Sequence, residues 1–209
     1  VSKLKNHEDF RKLFSNFLFE IGYNKGETFW DRFVVRVAPA ENNLPYREAS
    51  RINIHRDTWG TNLYQQINWW APVSNVEEKN TMIFYPDYFD VPVKNTTSTW
   101  DLNIYLANRK KGDFSYPSAP QLKEDLPSNI NKIPVTIKPG EILCFSGAHL
   151  HSSSKEKSEN TRISFEIRTI CENDLNSSAQ APNVDCDLQW KFPKIFKKIN
   201  DNSPLKITS

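Results

Sequence analysis

A histidine and an aspartate that could bind one metal ion lie two residues apart at the end of a predicted strand. Residues 51–54 have a strand-like composition, and His55 and Asp57 follow within three positions. Because side chains alternate between the two faces of a strand, His55 and Asp57 should point to the same side. An imidazole and a carboxylate suit a divalent first-row metal, and a second histidine would complete a 2-His-1-carboxylate site with open coordination positions. His-x-Asp is common by chance, so the interpretation depends on finding that second histidine.

Two further histidines, His149 and His151, follow the predicted strand at residues 142–145. They are two residues apart, so geometry alone allows either of them to be the third ligand. After a polar loop, Arg162 and Ser164 share one face of the next predicted strand. A buried arginine beside a hydroxyl forms a receptor for a carboxylate, because the guanidinium pairs in a bidentate manner and the hydroxyl adds a donor. The sequence therefore predicts a metal site beside a carboxylate-binding pair, which a dicarboxylic keto acid chelating iron would need.

The order of these residues resembles the Fe(II)/2-oxoglutarate-dependent oxygenase superfamily, and its phytanoyl-CoA dioxygenase-like branch most of all. The pattern is His-x-Asp, then a distal histidine, then Arg-x-Ser with ten residues between the distal histidine and the arginine. Three more segments are similar to motifs of that branch: Trp70-Ala71-Pro72-Val73, the stretch from Glu78 to Pro86, and Gly140-Glu141-Ile142-Leu143-Cys144-Phe145. The resemblance covers roughly residues 50–170. Asp87-Tyr88 departs from the Gly-Ser that usually follows the proline, which alters a loop on the substrate side.

The resemblance implies a role for each of these residues. His55, Asp57 and His151 would bind Fe(II), since the spacing to Arg162 selects His151 rather than His149. Five residues are expected at the site of the co-substrate 2-oxoglutarate: Arg162, Ser164, Trp70, Asn68 and Thr81.

These five expectations have different grounds. Arg162 and Ser164 would pair with the far carboxylate of the keto acid. Trp70 would line the pocket, with a core aromatic as the alternative, and Asn68 shares its strand face, with a hydrogen-bonded core amide as the alternative. Thr81 corresponds to a family position near the co-substrate.

The activity that the resemblance implies is oxygenation of a small-molecule substrate. Molecular oxygen and 2-oxoglutarate would be consumed, and succinate and CO2 would be released. Halogenating relatives lack the carboxylate ligand, so Asp57 favours hydroxylation or a related oxidation. A cupin-type metal enzyme without a keto acid is an alternative, although such sites usually draw several histidines from one strand motif. A jelly-roll binding module without activity is the other alternative.

The elements that must position these residues are mostly short strands. Residues 6–19 form a predicted helix, because Phe10, Leu13, Phe14, Phe17 and Leu18 recur with helical spacing. From residue 28 the pattern changes to short strands separated by loops rich in Pro, Asn and Asp. We therefore expect a mainly β fold with flanking helices, namely a double-stranded β-helix of the jelly-roll, cupin-like type.

One domain over residues 1–209 is predicted, with an N-terminal helix region at 1–27, a jelly-roll core at 28–171 and a C-terminal extension at 172–209. The extension is expected to pack on the outside, with a short helix near residues 192–199. Cys144 should be buried in its apolar strand.

Composition and charge argue against several classes of partner. The net charge of +2 gives no strong attraction to nucleic acid or to a membrane surface, and no apolar stretch is long enough to span one. The three cysteines show neither a disulfide framework nor metal-ligand spacing, which favours a reducing, cytoplasmic setting.

Overall fold

The computed structural model describes residues 7–40, 52–113, 115–154, 156, 158–177 and 179–207. The strands in these ranges are β1 (Thr28–Trp30), β2 (Val34–Ala38), β3 (Ile67–Pro72), β4 (Met82–Phe84), β5 (Ile133–Pro134), β6 (Leu143–Ser146), β7 (His151–Ser153), β8 (Arg162–Cys171) and β9 (Lys197–Lys198). The α-helices are α1 (Glu8–Glu20), α2 (Thr58–Thr61), α3 (Leu102–Lys110) and α4 (Glu172–Ser177). Short 3-10 helices cover Glu78–Asn80, Pro86–Tyr88 and Pro193–Ile195. No helix within the described ranges has both the length and the apolar character needed to cross a membrane.

The strands form two antiparallel sheets. The larger has the order β6-β3-β8-β1-β9, and β2 also pairs with β8. The smaller has the order β5-β4-β7. The prediction of a mainly β architecture with a few helices is confirmed at this level.

Strand β8 is the centre of the larger sheet because it pairs with β1, β2 and β3. Its outer face packs on α1, where Phe14 and Leu18 are buried against Trp69 and Ile167. The predicted N-terminal helix is confirmed over Glu8–Glu20. Asn6, a residue type that commonly caps helices and is expected from the sequence to cap this one, lies outside the described residues. Because α1 covers one face of β8, the polar side chains of the opposite face point into the space between the two sheets.

The C-terminal segment enters the fold, so the prediction that it packs only on the outside is wrong. β9 pairs with β1, and Phe196 is fully buried in a cluster with Phe29, Leu63, Ile170 and Leu205. Instead of an α-helix, this region has a single 3-10 turn that begins at a proline, followed by the two-residue strand. The apolar residues of this segment, whose spacing suggested a helix, instead flank a short edge strand, and one of them, Phe196, packs in the core.

Two local predictions about individual residues are resolved. Cys144 is exposed on the edge strand β6, because it faces away from Leu143 and Phe145, which pack inward; the expectation of a buried thiol is wrong. The sequence of residues 98–107 is compatible with either a short helix or a strand, and the structure has α3 at Leu102–Lys110. The Asp101 carboxylate caps this helix by accepting from the backbone N–H groups of Asn103 and Ile104.

Replacing Phe196 by alanine should destabilise the protein by about 3–5 kcal/mol, because it leaves a cavity in the buried cluster that joins the C-terminal segment to β1. Urea unfolding measures the change. Leu13→Ala is the matched control, since Leu13 is 67% exposed on α1 and should change stability by less than about 0.5 kcal/mol. Equal effects of the two substitutions would show that the C-terminal segment is not part of the core.

Candidate metal centre

Two histidines from distant parts of the chain meet through a reciprocal backbone bridge. The N–H of His55 donates to the carbonyl of His151 at 2.9 Å, and the N–H of His151 donates to the carbonyl of His55 at 3.0 Å. The pair forms an antiparallel bridge, so both side chains leave on the same side. Their ring centroids are 4.4 Å apart.

Each imidazole is oriented by a carbonyl two residues before it in the chain. Nδ1 of His55 lies 2.8 Å from the Asn53 carbonyl, and Nδ1 of His151 lies 2.9 Å from the His149 carbonyl. A carbonyl oxygen only accepts, so these contacts require the proton on Nδ1 and leave the lone pair on Nε2. Both Nε2 atoms are therefore set up as ligands in the way that metal-binding histidines usually are.

Asp57 completes the group from the start of α2 rather than from a strand. Its backbone has helical dihedral angles as the N-cap residue of α2, so the strand alternation expected of the His-x-Asp segment ends at His55. The carboxylate still reaches both imidazoles, with Oδ1 at 3.4 Å from His55 Nε2 and Oδ2 at 3.8 Å from His151 Nε2. The three ligand atoms all lie within 4.8 Å of one another, and two imidazoles with one carboxylate form a donor set for a divalent first-row metal.

A chain of buried polar side chains orients this carboxylate. Thr61 Oγ1 donates to Gln66, Gln66 Nε2 donates to Asn68 Oδ1 at 2.9 Å, and Asn68 Nδ2 donates to Asp57 Oδ2. Gly147 leaves room for this chain, because a Cβ there would lie 2.6 Å from Gln66 Nε2.

Burial and neighbouring charges set the protonation of the ligands. Burial alone would raise the pKa of Asp57, but His55, His151 and Arg168 outweigh it and hold the pKa well below its usual range. Burial and the proximity of His55 lower the pKa of His151 to about 4. At neutral pH the aspartate is thus charged and His151 is neutral, which are the forms that bind metals.

The predicted carboxylate-binding pair lies on the inward face of β8. Arg162 and Ser164 are buried there, and Arg162 Nε and Ser164 Oγ have no hydrogen-bond partner among the described residues. Burial and the nearby Arg36 lower the pKa of Arg162 to about 10, so it still carries its charge at neutral pH. Unpartnered buried donors are costly, and a bound carboxylate would satisfy both.

The other residues predicted at the co-substrate site have different positions. Trp70 lines the same pocket as the metal ligands, and the Arg162 guanidinium lies 5.4 Å from its ring centroid. Asn68 also lines the pocket, but its amide binds Asp57. Thr81 is fully buried, and its hydroxyl donates to the Val135 carbonyl at 2.5 Å. The structure therefore brings Trp70 and Asn68 to the pocket and places the Thr81 hydroxyl in a contact between strands.

His149 lies beside the centre rather than in it. It precedes β7, and its ring packs on Phe89 and Phe84 with centroid distances of 4.5 and 5.5 Å. Its carbonyl, and not its ring, contacts the predicted ligand His151.

Three further charged residues line the pocket, and sequence reasoning missed two of them, Glu166 and Arg36. Glu166 and Arg168 continue the inward face of β8, and Arg36 reaches the pocket from β2. From the sequence, Arg168 is expected on the Arg162 face of its strand as an exposed or ion-paired arginine, and it pairs with the buried Asp31 at 2.5 Å. Alternation along β8 could have predicted that Glu166 lies on the same face as Arg162. The position of Arg36 next to Glu166 follows only from the register between β2 and β8.

Strand alternation predicts that Arg56 points away from His55 and Asp57 and pairs on an outer face. This prediction is wrong, because Arg56 is a buried hub behind the candidate metal ligands. Its guanidinium donates to the Ala148 carbonyl at 2.6 Å and to the Tyr88 carbonyl at 2.6 Å. It also pairs with Asp185 at 3.1 Å, and Asp185 accepts from Trp59 Nε1 at 2.7 Å. This hub connects the His-x-Asp segment, the turn before the distal histidine and the C-terminal segment, and nothing in the local sequence pattern marks Asp185.

Comparisons with known proteins agree with this fold. No family model matches the chain, and no curated protein matches it. Among solved structures, EvdO2 from Micromonospora carbonacea var. aurantiaca aligns with a TM-score of 0.50 at 10% identity, over 82% of this chain and 63% of EvdO2. The structure of EvdO2 complexed with 2-oxoglutarate gives the same values. The apo form of the non-heme monooxygenase ThoJ aligns with a TM-score of 0.46 at 14% identity, over 70% of this chain and 47% of ThoJ. The chain spans less than two thirds of the length of these proteins, and the likeness to EvdO2 shows a shared fold.

Replacing Asp185 by asparagine should weaken Mn(II) or Fe(II) binding by about 10- to 100-fold, because the amide cannot accept from all the donors that hold the Arg56 hub behind the ligands. Calorimetric titration of the metal measures the effect. Glu172→Gln is the control, since Glu172 pairs with Lys198 at the surface, away from the ligands. If Asp185→Asn and Glu172→Gln have the same metal affinity, the Arg56 hub does not contribute to metal binding.

Proposed function

We propose that this protein is an Fe(II)- and 2-oxoglutarate-dependent oxygenase. One observation carries the proposal: a cluster of two imidazoles and a carboxylate shares its pocket with a buried arginine whose Nε has no partner among the described residues. The donor set suits Fe(II), and the arginine with the adjacent serine suits the far carboxylate of a dicarboxylic keto acid. The fold shared with EvdO2, whose structure is also known with 2-oxoglutarate, supports this assignment.

Each predicted residue has a distinct role in this proposal. His55, Asp57 and His151 hold the metal, while Arg162 and Ser164 hold the distal carboxylate of the co-substrate. Trp70 lines the co-substrate pocket, and Asn68 acts through Asp57 by fixing the carboxylate that it donates to.

Thr81 contributes less directly. We assign it to the wall behind the co-substrate, since its hydroxyl is used by the contact with Val135, the residue after β5. When bound, Fe(II) and 2-oxoglutarate supply the oxidising chemistry, and the side chains bind, orient and shield the reacting groups.

The finer assignments also belong to this proposal. Two facing antiparallel sheets with the pocket between them support a double-stranded β-helix of the jelly-roll type. We propose one catalytic domain over residues 1–209 with the boundaries at 27 and 171 expected from the sequence. The motif resemblance supports the phytanoyl-CoA dioxygenase-like branch.

The reaction we propose is hydroxylation or a related oxidation of a small molecule, with release of succinate and CO2. The carboxylate ligand Asp57 supports hydroxylation over halogenation. A cytoplasmic location, and the absence of nucleic-acid and membrane partners, stay predictions from the sequence.

Incubation with Fe(II), 2-oxoglutarate and ascorbate in air should release succinate even without the substrate, through slow uncoupled turnover. Replacing any one of the three ligands, His55, Asp57 or His151, by alanine should abolish this release, because it weakens metal binding and removes part of the donor set that positions the ion. Mass spectrometry of succinate measures the result. His149→Ala is the matched control and should keep the activity, since its ring lies outside the ligand group. Succinate release that survives in the ligand variants would refute the metal assignment.

Arg162→Ala should raise the KM for 2-oxoglutarate at least about 10-fold and leave metal affinity within a few-fold of wild type, because it removes a charge-assisted hydrogen-bonding group from the distal carboxylate alone. The same succinate assay at several 2-oxoglutarate concentrations, together with metal titration, separates the two effects. A KM equal to that of the wild type would favour a metal enzyme of the cupin type that does not use a keto acid.

A further inference from the structure

A second arginine stands beside the proposed carboxylate-binding pair. Arg36 on β2 is directly opposite Ser164 on β8, and Arg162 is two pairs further along the same ladder, opposite Ala38. Side chains opposite each other in an antiparallel pair share a face, and diagonal neighbours are within reach of long side chains. Arg36 accordingly lines the same pocket as Arg162 and the metal ligands.

Glu166 holds this second arginine in a fixed orientation. Arg36 Nε donates to Glu166 Oε2 at 2.8 Å, and Arg36 Nη2 donates to Glu166 Oε1 at 2.5 Å. This is a bidentate pair, which fixes the plane of the guanidinium as well as its distance. Nη1 of Arg36 makes no hydrogen bond with any described residue, so one end of the guanidinium can still donate to a ligand.

The charges around the pair leave one positive charge without a counterion among the described residues at the Arg162 end of the pocket. Arg36 and Arg162 are both positive and close enough that Arg36 lowers the pKa of Arg162, after the larger effect of burial. Glu166 balances one of them, Arg168 pairs with Asp31, and the Asp57 carboxylate that also lines the pocket belongs to the candidate metal group with His55 and His151. One added carboxylate would neutralise this end of the pocket, and the buried Ser164 hydroxyl has no hydrogen-bond partner in the part of the chain that the structure describes.

We infer that Arg36 is a second arginine of the keto-acid site, that it donates to the distal carboxylate together with Arg162 and Ser164, and that Glu166 is its positioning residue. This inference rests on the proposed function. It implies that the Arg36–Glu166 pair makes the site bind a dicarboxylic keto acid in preference to a monocarboxylic one. A purely structural ion pair across β2 and β8 is the competing explanation.

Equilibrium binding to Mn(II)-loaded protein under anaerobic conditions tests the inference. Calorimetry compares 2-oxoglutarate with 2-oxobutanoate, which has the same chelating end but no second carboxylate. Arg36→Met should weaken 2-oxoglutarate binding by about 10- to 100-fold, the effect of losing one charge-assisted hydrogen bond. It should weaken 2-oxobutanoate binding by less than about threefold, because that ligand has no carboxylate to lose.

A charge-swapped protein, Arg36→Glu with Glu166→Arg, separates binding from stability. The swap keeps an ion pair across the same two strands, so a structural role predicts that both urea stability and 2-oxoglutarate affinity return towards wild type. Our inference predicts that stability recovers relative to Arg36→Met while 2-oxoglutarate binding stays weak, since a carboxylate now stands opposite Ser164.

The outcomes distinguish this inference from the proposed function. If wild-type Mn(II) protein does not bind 2-oxoglutarate, the proposed function fails and the inference fails with it. If the wild type prefers 2-oxoglutarate and Arg36→Met keeps that preference, or the swap restores it, the inference alone is overturned.

Discussion

The site depends on one backbone contact, the reciprocal bridge between His55 and His151. These residues are almost a hundred positions apart, yet their N–H and carbonyl groups pair in both directions. Because the bridge fixes both backbones, both rings leave on one side with Nδ1 held by the carbonyl two residues earlier. Asp57, as the N-cap residue of a short helix, then brings its carboxylate to both Nε2 atoms.

Strand β8 connects this centre to the rest of the pocket through its two unlike faces. The outer face packs under α1, and the inner face carries a serine and three charged residues: Arg162, Ser164, Glu166 and Arg168. Such a polar row is tolerated inside the protein only where partners satisfy it. Arg168 and Glu166 have partners in Asp31 and Arg36, whereas the Arg162 end retains unpartnered donors. Among the described residues, the polar side chains of the pocket wall therefore have partners near the candidate metal ligands and lack them where a ligand carboxylate would bind.

Local patterns in the sequence were enough to predict α1, the mainly β architecture and the set of candidate ligands. Alternation within a strand also placed Arg162 and Ser164 on one face. It could not place Arg36 beside them, because that depends on the register of β2 against β8, and their paired residues are more than a hundred positions apart. For the same reason the sequence did not reveal that Asp185 pairs with Arg56 behind the candidate ligands, or that Phe196 is a core residue. At Asp57 the His-x-Asp motif passes from extended backbone into a helix. Strand alternation correctly predicts that its carboxylate lies near His55, but it wrongly predicts an extended backbone for Asp57.

The most direct test of the central claim is a crystal structure of the protein grown anaerobically with Mn(II) and 2-oxoglutarate. The account predicts one metal ion bound by His55 Nε2, His151 Nε2 and the Asp57 carboxylate. It also predicts a keto acid that chelates this ion and has its far carboxylate at Arg162 and Ser164. A metal ion bound elsewhere, or a 2-oxoglutarate molecule that does not reach Arg162, would contradict it.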